Sequence, residues 1–121
     1  MQDFRNLRVW HDAKDFCVAV YRVTQGFPRE EMYGFTSQLR RASRSIPANI
    51  AEGCGYDGGN TPRFFQSANG SASECLSDLL IARELGFVSD DDFRNLEDQR
   101  LLGVRKQLYR LIQRVQERRA R

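Results

Sequence analysis

Residues 38–53 read Gln-Leu-Arg-Arg-Ala-Ser-Arg-Ser-Ile-Pro-Ala-Asn-Ile-Ala-Glu-Gly, and the rest of the chain is organised around this stretch. Its apolar side chains recur every three or four positions, which is the period of an amphipathic helix with one buried face. The apolar positions are Phe35, Leu39, Ala42, Ile46 and Ile50. A second seam of polar or small side chains runs beside them, at Gln38, Arg41, Ser45, Asn49 and Glu52. The pattern therefore predicts a helix with two specialised faces.

Pro47 lies inside this pattern, where it removes one backbone donor and crowds the carbonyl of Ser43. An interior proline costs roughly 3 kcal/mol or more, so the helix must either kink or end there. Because the apolar stripe continues from Ile46 to Ile50, we predict a kink in one continuous helix.

Three other stretches show the same helical period. Their apolar stripes include Trp10, Ala13, Cys17 and Val20, then Phe65, Ala68, Ala72 and Cys75, and finally Phe93, Leu96, Val104, Leu108, Leu111 and Val115. We predict four helices, at approximately residues 9–25, 32–52, 62–85 and 90–118. Since no strand pattern competes, the predicted fold is an all-α, up-down-up-down antiparallel four-helix bundle in a single domain over residues 1–121.

The composition is that of an ordinary globular protein, with 40% hydrophobic and 29% charged residues. No apolar run approaches the ~20 residues that span a bilayer, and the start lacks the apolar core of a secretory signal. We therefore expect a cytoplasmic protein. Three scattered cysteines and one histidine do not form a metal-binding pattern, so we expect no metal site and no cofactor.

Several segments together resemble one bacterial family. They are the stretch 45–53, the lead-in Phe4-Arg5-Asn6-Leu7-Arg8-Val9-Trp10, the pair Phe27-Pro28, and Gly70-Ser71 with Glu74. In these segments the chain is similar to small four-helix-bundle proteins encoded in intervening sequences of 23S ribosomal RNA genes. Asn69 departs from the family pattern, in which a basic residue precedes the Gly-Ser pair. The resemblance implies a four-helix bundle and a homo-oligomer, specifically a ring of five subunits.

An enzyme would need a convergent set of nucleophile, acid, base or metal ligands. His11 with Asp12 and Asp15 is the one conceivable pair, but all three lie on the polar side of the first helix. We find no nucleophile elbow and no metal-binding histidine pair. We therefore predict no catalytic residues and no enzymatic activity.

Basic residues form two groups. From residue 100 to 121 there are eight bases and one acid, and Lys106, Arg110, Arg114 and Arg118 recur every four positions along one helix face. This face is either simply solvated or contacts nucleic acid. In the second helix, Arg40 and Arg44 either form salt bridges to Glu74 or Glu52 or contact phosphate. Because Tyr109 is the only aromatic beside the C-terminal stripe, we expect little base stacking and weak sequence preference.

We predict a structural role, at a helix contact or a subunit interface, for a third set of residues: Arg41, Pro47, Asn49, Glu52, Gly53, Gly70, Ser71 and Glu74. Glu52 ends a helix, where a negative charge is mildly unfavourable, so we expect its partner on another helix or another subunit. Gly70 stands mid-helix among serines and is expected to permit a close helix approach.

These observations predict a non-enzymatic, homo-oligomeric accessory or scaffold protein that binds RNA or DNA. The alternative is a structural ring whose partner is another protein, without nucleic acid. No membrane association is expected.

Overall fold

The computed structural model describes residues 3–55 and 61–120, and these residues form helices and turns with no β-strand. The helices are α1 (Arg8–Thr24), α2 (Phe35–Gly55), α3 (Thr61–Glu84), α4 (Asp90–Leu96) and α5 (Leu102–Ala120). A π-helical segment (Glu97–Leu101) joins α4 to α5 without a break, so α4 and α5 form one long helix. The prediction of an all-α fold with four helices is confirmed. The alternating helix directions remain a prediction.

Each helix packs against the next one in the chain, and α5 closes the arrangement by packing against α1. The fully buried side chains include Phe16, Leu39, Ile50, Leu79 and Leu108. Each apolar side chain of this size stabilises the fold by about 1.5–3 kcal/mol when it leaves water. Among the described helices, none is both long enough and apolar enough to cross a membrane.

Helix α2 begins at Phe35, three residues later than predicted. Pro28 is extended and starts a short 3₁₀ turn (Arg29–Glu31), and the chain turns again before α2. Of the predicted stripe, Leu39, Ala42, Ile46 and Ile50 are buried in the core, and Phe35 is half-buried against it. The helix continues past Pro47 as far as Gly55, and the kink at Pro47 remains a prediction.

The C-terminal helix contains a π-helical segment, in which each hydrogen-bonded turn encloses one residue more than in an α-helix. The amide of Leu102 bonds the carbonyl of Glu97, five residues earlier. Leu96 and Leu101 are both buried, although a spacing of five places residues on different faces of a regular α-helix. The π-helical segment therefore turns Leu101 into the core. Val104 and Leu108, which follow it on α5, are buried on the same side of the helix.

The connection between α3 and α4 is defined at both ends by hydrogen bonds. Gly86 has a φ of +77°, and the amide of Phe87 donates to the carbonyl of Ala82 at 2.8 Å, as in a Schellman motif. Ser89 then caps α4, because its Oγ accepts from the amide of Asp92 at 3.1 Å. This tight connection places the start of α4 against the end of α3.

The three cysteines are all reduced and differ in exposure: Cys54 and Cys75 are buried, and Cys17 is half-buried. Burial raises the pKa of the Cys75 thiol, with smaller contributions from Asp78 and Glu74, and burial also raises the pKa of Cys54. Because only the thiolate reacts, we expect Cys17 to react first and Cys75 last with a thiol reagent at pH 8. Mass spectrometry of partly alkylated protein measures the order, and early labelling of Cys75 would contradict it.

Candidate nucleic-acid interface

The C-terminal helix presents a row of four cations to solvent. Lys106, Arg110, Arg114 and Arg118 are all exposed and follow one another at successive turns of α5. Within residues 3–55 and 61–120, none of the four side chains has a carboxylate oxygen within 4.0 Å. Like charges one turn apart repel each other, so this row carries uncompensated positive charge.

The start of α1 adds a fifth cation to this surface. A groove of about 200 Å³ between α1 and α5 is lined by Arg8, Arg110 and Arg114 together with Leu7 and Leu111. The Arg8 side chain is 87% exposed and lies 3.4 Å from a carboxylate oxygen of Asp12. Sequence reasoning missed Arg8, because only the packing of α1 on α5 brings it beside the C-terminal arginines.

A second groove, of about 430 Å³, lies on the other side of Arg110, between α3 and α5. It is lined by Asn69, Leu102, Arg105, Lys106, Tyr109 and Arg110. Arg105 also reaches across to α3, where its Nη2 donates to Ser73 Oγ at 3.5 Å. We name the surface formed by Arg8, Arg105, Lys106, Arg110, Arg114 and Arg118 the basic face.

Arg40 and Arg44 lie elsewhere. Among the described residues, α2 packs against α1 and α3, and its backbone does not approach that of α5. Arg40 is half-buried and contacts the end of α1: its Nε donates to Thr24 Oγ1 at 2.8 Å and its Nη2 to the Tyr21 carbonyl at 3.3 Å. Its guanidinium also lies 4.8 Å from the centre of the Tyr21 ring. Neither arginine extends the basic face.

The contacts of Arg40 predict a structural effect. Replacing Arg40 with alanine removes two hydrogen bonds to α1, a weak one to the Met32 sulfur and a cation–π contact, so we expect the free energy of unfolding to fall by about 1–3 kcal/mol. The matched control is Arg44→Ala on the same helix, where the side chain is exposed and the expected change is within about 0.5 kcal/mol. Urea denaturation measures both. Equal losses for the two variants would contradict a specific role for the Arg40 contacts.

Three charged residues of the predicted structural set are exposed: Arg41 and Glu52 on α2 and Glu74 on α3. In the part of the chain that the structure describes, none of them lies within 4.0 Å of an oppositely charged group. The salt bridges considered from Arg40 or Arg44 to Glu52 or Glu74 are likewise not found among these residues. Glu52 therefore has no ionic partner on another described helix of its own chain.

Small and polar side chains contribute to the contact between α2 and α3. A hydrogen bond joins the hydroxyls of Ser45 on α2 and Ser71 on α3, and Asn49 Nδ2 donates to the Ser45 carbonyl at 2.8 Å within α2. Gly53 packs against Phe65, because a Cβ atom at Gly53 would lie 2.7 Å from Phe65 Cε1. Gly70 is different, since a Cβ atom there would meet nothing within 4 Å. The close approach expected at Gly70 is therefore not found among the described residues, and Gly53 provides one instead.

Comparison with known proteins identifies one family. A model of the 23S rRNA-intervening sequence protein family matches residues 5–112, which include all five helix starts and most of the basic face. No protein with a curated description matches the chain. Because the family match covers most of its length, the chain belongs to the 23S rRNA-intervening sequence protein family.

Proposed function

We propose that the protein is a non-enzymatic, homo-oligomeric accessory or scaffold factor of the cytoplasm that binds nucleic acid through the basic face. The observation that carries this proposal is the exposed row of Lys106, Arg110, Arg114 and Arg118, which has no carboxylate nearby in residues 3–55 and 61–120. Arg8 and Arg105 widen the row on both sides. Phosphate groups would neutralise this charge and release condensed counterions from the nucleic acid.

The absence of an enzymatic role is part of the proposal and is supported by the surroundings of the single histidine. His11 Nε2 lies 2.7 Å from the Arg5 carbonyl oxygen. Asp12 instead accepts from Gln107 Nε2 at 2.8 Å and faces Arg8. The imidazole of His11 therefore contacts the segment before α1, whereas the carboxylate of Asp12 contacts α5. The two groups do not form a His–Asp pair.

Oligomerisation is supported by the outer faces of α2 and α3. Arg41, Glu52 and Glu74 are exposed without ionic partners among the described residues, and Gly70 leaves open space beside α3. A second copy of the chain would supply both opposite charges and a helix to fill that space. Family resemblance points to a ring of five subunits, and such rings close by cyclic symmetry.

Native mass spectrometry tests the oligomer. We expect a closed homo-oligomer at micromolar protein, with five subunits as the main species. Replacing Gly70 with leucine is expected to reduce the subunit number without unfolding the bundle, because the larger side chain has room within the chain. A wild-type monomer would refute the oligomer.

A ring that binds another protein without nucleic acid is the second candidate function. It is favoured by exposed apolar side chains one turn apart on and just after α3, where Ile81 is 47% and Leu85 57% exposed. Exposed apolar pairs of this kind are common at protein contacts.

Salt dependence of binding separates the two functions. Wild-type protein is titrated into labelled RNA and DNA oligonucleotides at ~50 mM salt, where electrostatic attraction is strong, and again at ~200 mM. We expect binding whose affinity falls steeply with salt. If no oligonucleotide binds at ~50 mM salt, the nucleic-acid function is rejected in favour of the ring that binds another protein.

A further inference from the structure

The groove between α3 and α5 is large enough for a small ligand, and it is shallow and open to solvent. Its volume is about 430 Å³, which falls within the ~300–1,000 Å³ usual for such sites. Tyr109 and Leu102 contribute its apolar surface, Asn69 a carboxamide, and α5 its cations. The groove thus joins an aromatic ring, a hydrogen-bonding group and positive charge in one place.

Tyr109 offers an open aromatic surface in this groove. Its side chain is 59% exposed, and Leu102, two helical turns earlier on the same side of α5, is 43% exposed. Exposed aromatic rings beside cations are the side chains on which unpaired bases stack in proteins that bind single strands. Bases inside a duplex are already stacked and paired, so they cannot use such a ring.

Asn69 provides an unpaired polar group in the wall of the same groove. Its Oδ1 is buried and has no hydrogen-bond partner among the described residues. A buried acceptor without a partner is unfavourable, and most such atoms in proteins are paired. Because this atom is closed to solvent, only the other end of the carboxamide can reach the groove. That end can donate to the edge of a nucleobase or, with the amide turned over, accept from it.

The cations beside the groove are placed for phosphates. Lys106 and Arg110 line it, and Arg110 also lines the neighbouring groove with Arg8 and Arg114. A strand that crosses Arg110 can therefore place a base on one side of this arginine and a phosphate on the other.

We propose that the α3–α5 groove holds one unpaired base of a single-stranded nucleic acid, stacked on Tyr109 with its hydrogen-bonding edge at Asn69. The adjoining phosphates contact Lys106 and Arg110. This rests on the proposed function, and it departs from the sequence-based expectation that stacking contributes little. The protein therefore prefers single strands to duplexes of equal length.

The experiment measures affinity by fluorescence anisotropy for four labelled probes of equal length. They are single-stranded RNA, single-stranded DNA, duplex DNA and an abasic DNA strand that has phosphates but no bases. Tyr109→Ala is expected to weaken binding of the tighter single strand by about ten- to a hundredfold. The affinity of the Tyr109→Ala variant for the duplex and for the abasic strand should equal that of wild type. The salt dependence of its binding to each of the four probes should also be unchanged.

Three further variants sharpen the test. Tyr109→Phe keeps the ring and should bind like wild type. Asn69→Ala removes the carboxamide and should weaken binding of single strands but not of the abasic strand. Tyr33→Ala is the matched control, because Tyr33 is 98% exposed and lies before α2, outside the groove. Circular dichroism verifies that each variant is folded.

Two results would overturn the inference and leave the proposed function intact. One is equal affinity of wild type for the abasic and the normal single strand. The other is a Tyr109→Ala variant that binds single strands as wild type does. Loss of binding by wild type to every probe would instead remove the proposed function, and the inference with it.

Discussion

Replacing Lys106, Arg110, Arg114 and Arg118 together with glutamine is expected to lower affinity for single-stranded nucleic acid by about three orders of magnitude at ~50 mM salt. Each neutralised phosphate contributes about −0.7 to the log–log slope of affinity against salt on single strands. If each side chain contacts one phosphate, the slope flattens by about 3. Helix content should not change, because all four side chains are exposed and glutamine is a good helix former.

The control for net charge is a second fourfold variant, in which Lys14, Arg22, Arg29 and Arg94 become glutamine. It removes the same four charges, one lysine and three arginines, from exposed positions outside the basic face. Its affinity and salt slope should stay close to those of wild type. If both variants lose affinity equally, the protein responds to its total charge and the basic face has no special role.

Gly53→Ala is expected to destabilise the bundle by about 1–3 kcal/mol, even though alanine is the better helix former. The new Cβ would lie 2.7 Å from Cε1 of Phe65 and 3.1 Å from two other ring atoms. The Phe65 ring is buried, with 3% of its surface exposed, so it has little room to move aside. Chemical denaturation measures the loss, and oligomeric state is recorded in the same samples.

Gly103 provides the matched control, since it is a helical glycine at which a Cβ would meet nothing within 4 Å among the described residues. Alanine at this position should raise the free energy of unfolding by about 0.5–1 kcal/mol. The sign of the effect therefore separates a packed glycine from an open one. A gain in stability for Gly53→Ala would show that Phe65 yields, and that the contact between α2 and α3 tolerates a larger residue.

The all-α fold and the buried stripe of α2 at Leu39, Ala42, Ile46 and Ile50 could be predicted from local periodicity, because a helix repeats its buried face every three or four residues whatever it packs against. The family was predicted from the resemblance of residues 45–53 and the flanking segments to its members, and the family match confirms it. The π-helical segment also had a signal in the sequence, namely the spacing of five between Leu96 and Leu101. It was missed because Leu101 falls outside the regular helical period.

Which distant residues meet depends on how the helices pack. Packing brings Arg8 beside Arg110 and Arg114, and it brings Asn69 and Tyr109 into the lining of one groove. It also places Arg40 against Thr24 and Tyr21, away from the C-terminal cations. Gly53 lies close to Phe65, whereas Gly70 has no such neighbour among the described residues. A helical period shows which face of a helix is buried, but it does not show which neighbour covers that face. That choice depends on how α1, α3 and α5 pack together, which only the folded chain determines.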